Sequence, residues 1–196
     1  MTPRTTLDPV TVDLRLLASL HRSARAAVGD SLGDLDYPVA GLPTGDALVE
    51  SYLHRAPDRS WALFQNGAPV GVFAVVPYLD LPGTQQTSTY LTHAARGTGL
   101  NTVVKRAAIT AARTGSIPLY SSVHHTNARS LAATRRLFVS IEPVQVVEHP
   151  TGRLAWRFEL SDPWARLADG PVPAHLVERL SVAFRPAALQ PALRAA

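Results

Sequence analysis

The chain has 196 residues, 46% of them hydrophobic and 17% charged, which excludes intrinsic disorder and suits one compact domain with an appendage better than two full domains. It has no cysteine, which removes disulfide scaffolds, thiol nucleophiles and thiolate metal sites together, and no metal site is expected. No apolar run approaches the roughly 20 residues of a membrane span, and the first twenty residues carry Asp8 and Asp13 instead of a leader's apolar core. The expectation is a soluble, cytoplasmic protein.

The net charge of +4 is unevenly placed. Between Asp80 and Glu142 there is no acid, while Arg96, Lys105, Arg106, Arg113, Arg129, Arg135 and Arg136 give +7; the other 12 cations and 15 acids sum to −3. Such concentration suits an anionic ligand, either the phosphates of a small molecule or a nucleic-acid backbone. An ordinary solvated basic face gives the same pattern. Only Lys105 of the 19 cations is a lysine.

Val12, Leu16, Leu17, Leu20 and Ala24 fall at helical spacing and predict a helix over 12–28, stopped by Gly29. Residues 30–44, rich in Gly, Asp and Pro, read as a loop. A second helix follows from Thr44 or Gly45 to His54, with Ala47, Leu48 and Tyr52 inward. Trp61–Phe64 is a strand, Asn66-Gly67 a hairpin turn, and Val70–Val76 an apolar strand covered on both faces. After a break at Pro77–Gly83, Gln86–Thr92 is extended. A glycine turn, Arg96-Gly97-Thr98-Gly99, then opens a helix to Arg113 that Gly115 ends. Ile117–Val123 is a strand, and Asn127 or Thr126 caps a helix to Leu137. Val144–Glu148 and Leu154–Leu160 form a closing hairpin. The fold class is mixed α/β: a domain over 1–160, then a C-terminal helical extension over 161–196 with one amphipathic stretch, His175–Phe184.

A glycine turn between a strand and a helix lets successive N–H groups point inward, and the helix's first turn adds free amides and partial positive charge. That arrangement binds a diphosphate. The run lacks the Gly-Lys-Ser/Thr end of a Walker loop and the third glycine of a dinucleotide fingerprint. An ordinary tight turn has the same residues.

The segment from Thr89 to Thr102, Thr-Tyr-Leu-Thr-His-Ala-Ala-Arg-Gly-Thr-Gly-Leu-Asn-Thr, resembles the acetyl-CoA-binding motif of the GNAT superfamily of N-acetyltransferases. Asn101 makes it most similar to the branch that includes the ribosomal-protein alanine N-acetyltransferases. Asn127-Ala128-Arg129-Ser130, with Leu137 beyond, resembles the family's asparagine-led helix, and the element order over residues 10–160 agrees. The resemblance implies a mostly antiparallel twisted sheet flanked by helices. It implies that amides of Arg96, Gly97, Thr98, Gly99, Leu100 and Asn101 hold the diphosphate of acetyl-CoA. The backbone of Tyr90, Leu91 and Thr92 would pair with the pantetheine arm, Asn127 would bond the arm near its sulfur, and Ser130 would face the cofactor.

On that reading an acetyl group passes directly to a primary amine, a protein N-terminus or a small molecule. The Leu91 amide polarises the thioester carbonyl, and His124 is the preferred base among His93, His124 and His125; the alternative for each histidine is a structural or surface role. The sequence departs from the family pattern at Gln86, where many members carry a glutamate, and at Thr134, where many carry a tyrosine. Glu50, Tyr52 and His54 are candidates for the acceptor pocket, Arg129, Arg135 and Arg136 for a further phosphate, and Trp164 with the last helix for core cover or a homodimer contact. Two other readings stay open: an acyltransferase of the same fold using another acyl-CoA or an aminoacyl-tRNA, and a non-catalytic nucleic-acid-binding module. Against the last, the basic stretch has only Tyr90, Tyr120 and Phe138 for base stacking.

Overall fold

The computed structural model describes residues 11–39, 42–78, 81–148 and 154–185. The first strand of the described residues stands where a helix is expected. In β1 (Val12–Leu16) Val12 and Leu14 are both buried. Val12, Leu14 and Leu16 alternate as well as Val12 and Leu16 fit a helix, and pairing with a neighbouring strand decides between the periods. The helix, α1 (Arg22–Leu32), begins ten residues later than expected and runs through Gly29. Residues read as a loop form a small antiparallel ribbon, β2 (Asp34–Val39) and β3 (Leu42–Thr44). Thr44 caps α2 (Gly45–Arg55), its Oγ1 accepting from the Ala47 N–H at 3.3 Å. Gly29 and Gly45 let α1 and α2 approach backbone to backbone: a Cβ on Gly45 would lie 2.2 Å from the Gly29 carbonyl oxygen.

β4 (Ser60–Gln65) and β5 (Ala68–Pro77) are joined at Asn66-Gly67, whose φ values of 51° and 79° are those of a type I′ turn. β6 (Gln85–Leu91), α3 (Leu100–Gly115), β7 (Leu119–His124), α4 (Ala128–Arg135), β8 (Gln145–Glu148), β9 (Leu154–Glu159) and α5 (Ala174–Ser181) complete the order. Among the described residues, seven strands form one sheet in the order β1-β4-β5-β6-β7-β9-β8. Every neighbouring pair is antiparallel except β6 and β7, which α3 connects as a crossover.

The two faces carry separate cores. Trp61, Leu63, Phe73 and Val75 pack with α3 and α5, whereas Ala62, Val72, Ala74 and Val76 pack with α1 and α2. Both faces of β5 are therefore covered, as its unbroken apolar run predicts.

Residues 161–185 are built into this core rather than appended to it. Leu176, Leu180, Ala183 and Phe184 are buried in the α3 face, and a Cβ on Gly115 would stand 2.6 Å from the Phe184 carbonyl oxygen. Arg113 ties the connecting segment down, its Nη2 donating to the carbonyls of Asp162 and Ala165 at 2.6 Å each. Trp164 covers nothing: it is 91% exposed. No helix among the described residues is long and apolar enough to cross a membrane.

Candidate functional site

The sheet is continuous except between β6 and β7. They pair only at Gln85–Leu119 and Gln86–Tyr120, although β6 continues to Leu91 and β7 to His124. Along the same residues β6 stays paired with β5, and β7 with β9. The two central strands thus part into a wedge opening toward their C-terminal ends. Strand alternation says which main-chain groups line it. The Gln85 N–H donates to the Pro118 carbonyl on the β7 side, and the Thr92 N–H to Val70 on the β5 side. Past the last rung, the main chain of Thr89 and Leu91 therefore faces the wedge from β6. The His125 N–H donates to Leu154 on β9, so Ser122 and His124 face the wedge from β7. This corrects the expectation for Tyr90 and Thr92, whose main chain is turned to β5; of the three residues assigned to the arm only Leu91 faces the gap.

At the open end stands the glycine turn. Gly97 and Gly99 have φ of 77° and 90°, which glycine adopts without strain, and Gly99 caps α3 with open space around its Cβ position. α3 has no side-chain cap and no acid in its first turn, and its first intrahelical bond is Val103 N–H to Gly99 O at 3.1 Å. The amides of Leu100, Asn101 and Thr102 precede that bond and have no acceptor within the helix. The Thr98 hydroxyl closes the turn on the Ala95 carbonyl at 2.8 Å, and Arg96 Nε donates to the Leu91 carbonyl at 3.1 Å. Asn101 Oδ1 is buried and unpartnered.

Asn127 caps α4, its Oδ1 accepting from the Ser130 N–H at 2.9 Å. That bond fixes the side chain and leaves both amide protons of Asn127 for a ligand. Ser130 is half-buried. His124 lies at the end of β7 on the α2 side of the sheet. Its Nδ1 meets Thr126 Oγ1 at 2.7 Å and accepts from the Thr126 N–H at 3.3 Å. A neutral His124 so arranged carries its proton on the buried Nε2, which makes that atom a donor rather than a ready base. His125 is held by the Leu154 carbonyl at 2.9 Å, and His93 is exposed ahead of the turn.

The α2 side of β6 holds a pair the sequence reading missed, Tyr52 Oη and Ser88 Oγ at 2.5 Å. Burial pushes the Tyr52 phenol up to about 12, so it stays protonated. Glu50 and His54 are exposed, leaving Tyr52 as the member of that trio facing the sheet. Gln86 stands at the last rung, where it has no proton-accepting group, and the Thr134 hydroxyl is buried without a partner.

The basic stretch is not a solvated stripe. Lys105 and Arg106 are 5% and 4% exposed, and Arg113 is spent on carbonyls. Arg129, Arg135 and Arg136 face solvent on α4. With its cations so divided, the stretch lacks the continuous charged track that single-stranded nucleic acid requires.

No family model matches the chain, and no curated protein matches its sequence. Among solved structures it is similar to an acetyltransferase of the GNAT family from Bacillus anthracis (TM-score 0.58, 11% identity, 76% of this chain and 93% of that one). It is also similar to aminoglycoside acetyltransferase AAC(6')-Ib in complex with coenzyme A (TM-score 0.57, 18% identity, 76% and 94%). A third is a chimera of spermidine N-acetyltransferase SpeG from Vibrio cholerae and hSSAT (TM-score 0.58, 13% identity, 77% and 96%). At these identities the likeness is one of fold: the chain has the architecture of the GNAT acetyltransferases.

Proposed function

We propose that the protein is an N-acetyltransferase that uses acetyl-CoA and acts on a primary amine, either a small molecule or a protein N-terminus. The observation that carries this is the wedge of unpaired main chain running from the bare N-terminus of α3 into the sheet. The residues fit the cofactor: the turn leaves amides for a diphosphate, and buried, unpartnered oxygens of Asn101, Thr87 and Thr89 line the way inward. Leaving each such oxygen unmatched costs about 1–3 kcal/mol, which a ligand rich in amide groups recovers. Acetyl-CoA supplies the activated acyl group; the chain supplies position and polarity.

The amides from Gly97 to Asn101 hold the diphosphate, with Arg96 bracing the turn. Leu91 and Thr89 extend the sheet onto the arm. Leu91 sits at the mouth of the wedge beside the turn, so the N–H nearest the thioester is that of Thr89, one rung deeper, and the polarising role passes to it from Leu91. An amide donor so placed is worth roughly 3 kcal/mol in the transition state. Because α3 and α5 cover one face, the amine reaches the wedge from the other, past Ser88, Tyr52 and His124. His124, donating through Nε2, orients the acceptor, which arrives already neutral. Asn127 donates its amide protons to the arm, and Ser130 stands a turn behind it. Asn101, the residue that makes the loop resemble the ribosomal-protein alanine N-acetyltransferase branch, keeps an alanine N-terminus among the candidate acceptors.

Calorimetry with CoA tests this, followed by thiol release from acetyl-CoA with spermidine, an aminoglycoside and an alanine-initiated peptide as acceptors. The expected result is saturable CoA binding with thiol release dependent on one of the amines. Failure to bind CoA overturns the proposal.

A further inference from the structure

Resting on that reading, we propose that Lys105, acting through Ser121, sets a hydroxyl donor at the apex of the wedge that receives the negative charge on the departing sulfur. Lys105 is the only lysine of the chain and is buried on α3. Its Nζ donates to Ser121 Oγ at 3.3 Å, and none of the ion pairs among the described residues includes it. An ammonium can only donate. The Ser121 oxygen therefore accepts, and its own proton is left to give to something else. A charge-assisted chain of this kind makes the hydroxyl a stronger donor than a serine alone.

The position of Ser121 gives that proton a target. It is the first residue of β7 past the last rung at Tyr120, and its side chain points to the α3 face with Leu119 and Val123. Across from it, Thr87 is the first residue of β6 past Gln86, with a buried and unpartnered hydroxyl. Asn101 lies one turn before Lys105 on the same face of α3. Asn101 and Lys105 therefore mark the two ends of one polar floor, from the diphosphate turn to the point where the strands part. From Leu91 back to Thr87 the wedge measures about 13 Å along the strand. The twelve bonds between the diphosphate and the sulfur of CoA span about 15 Å when extended. A ligand anchored at the turn, beyond Leu91, thus carries its sulfur past Thr89 toward the apex, with the acyl carbonyl still in reach of the Thr89 N–H.

Burial of an uncompensated ammonium is unfavourable, and it lowers the Lys105 amine to about 8. A methionine would fill the same space without that cost. The charge has a use during transfer. The amine nitrogen bonds to the acyl carbon, the carbon–sulfur bond breaks, and its electron pair stays on sulfur. The nitrogen's proton leaves to water. The sulfur anion accepts the Ser121 proton as a hydrogen bond and is protonated in solution after release. Ser121 is the group that touches the sulfur; Lys105 is a positioning residue.

The test compares CoA with desulfo-CoA, which lacks the sulfur, by calorimetry on the wild type, Lys105→Met and Ser121→Ala, with ultraviolet absorbance reporting bound thiolate. The wild type is expected to prefer CoA by about tenfold and to show thiolate absorbance; both variants bind the two ligands equally and lose the signal. Lys105→Met, which removes a buried charge, keeps its fold by circular dichroism. Equal affinity in the wild type, or a preference that survives in both variants, overturns the inference while leaving the proposed function standing. A wild type that binds neither ligand overturns the proposed function itself.

Discussion

Replacing Thr102 by glutamate should move stability and ligand binding in opposite directions. Thr102 is the third residue of α3, in a first turn with no acid and no side-chain cap. A glutamate there complements the helix dipole and reaches back to the N-cap amide, worth about 0.5 kcal/mol to the free protein. For a chain of this size that raises Tm by about 1–2 °C. A diphosphate at the same amides meets the new carboxylate at roughly 6 Å. The diphosphate's two negative charges, each repelled by the carboxylate at that distance with an effective dielectric between about 40 and 80, together cost about 1.5–3 kcal/mol, or a 10- to 100-fold loss of CoA affinity. The loss shrinks at high salt. Thermal unfolding and CoA titration at two ionic strengths read both effects. If affinity is unchanged, the anion does not sit on α3, and if stability and affinity fall together the variant has merely damaged the fold.

Three further outcomes follow from the packing and from the buried lysine. Phe184→Ala should destabilise the whole protein by about 3–5 kcal/mol in a single cooperative transition, because the ring fills the α3 core; an early separate transition would show that the C-terminal segment folds apart. Gly45→Ala should cost about 1–3 kcal/mol in denaturant unfolding, since its Cβ would meet the Gly29 carbonyl at 2.2 Å; an unchanged midpoint would mean that α1 and α2 slide apart freely. Lys105 titrates near 8 in the folded chain against 10.5 unfolded, so between those values the unfolded state binds more protons and stability rises with pH. Relative to Lys105→Met, the wild type should gain about 3 kcal/mol from pH 8 to 10.5, and parallel pH profiles would show that the amine is not buried.

The residues that made the site legible are those whose chemistry is local. Gly97 and Gly99 announce a turn because only glycine adopts their φ cheaply, and Asn66-Gly67, Thr44 and Asn127 mark a hairpin and two caps for equally local reasons. Where partners are distant in the chain, the sequence was ambiguous. Val12 and Leu16 satisfy a helix and a strand alike until β4 supplies the register. Gly29 reads as a stop when its partner is Gly45, and the last helix reads as an appendage when its partner is α3. The wedge could not be read at all: that β6 and β7 separate after two rungs is a property of their pairing. The same holds for Tyr52 with Ser88 and Lys105 with Ser121, pairs 36 and 16 residues apart that no spacing rule connects.

A crystal structure grown with saturating CoA tests the central claim most directly. The diphosphate should rest on the amides of Gly97 to Asn101, with the arm lying between β6 and β7 and bonded to the main chain of Thr89 and Leu91. Density for the ligand elsewhere, or a wedge left empty under those conditions, would contradict the account.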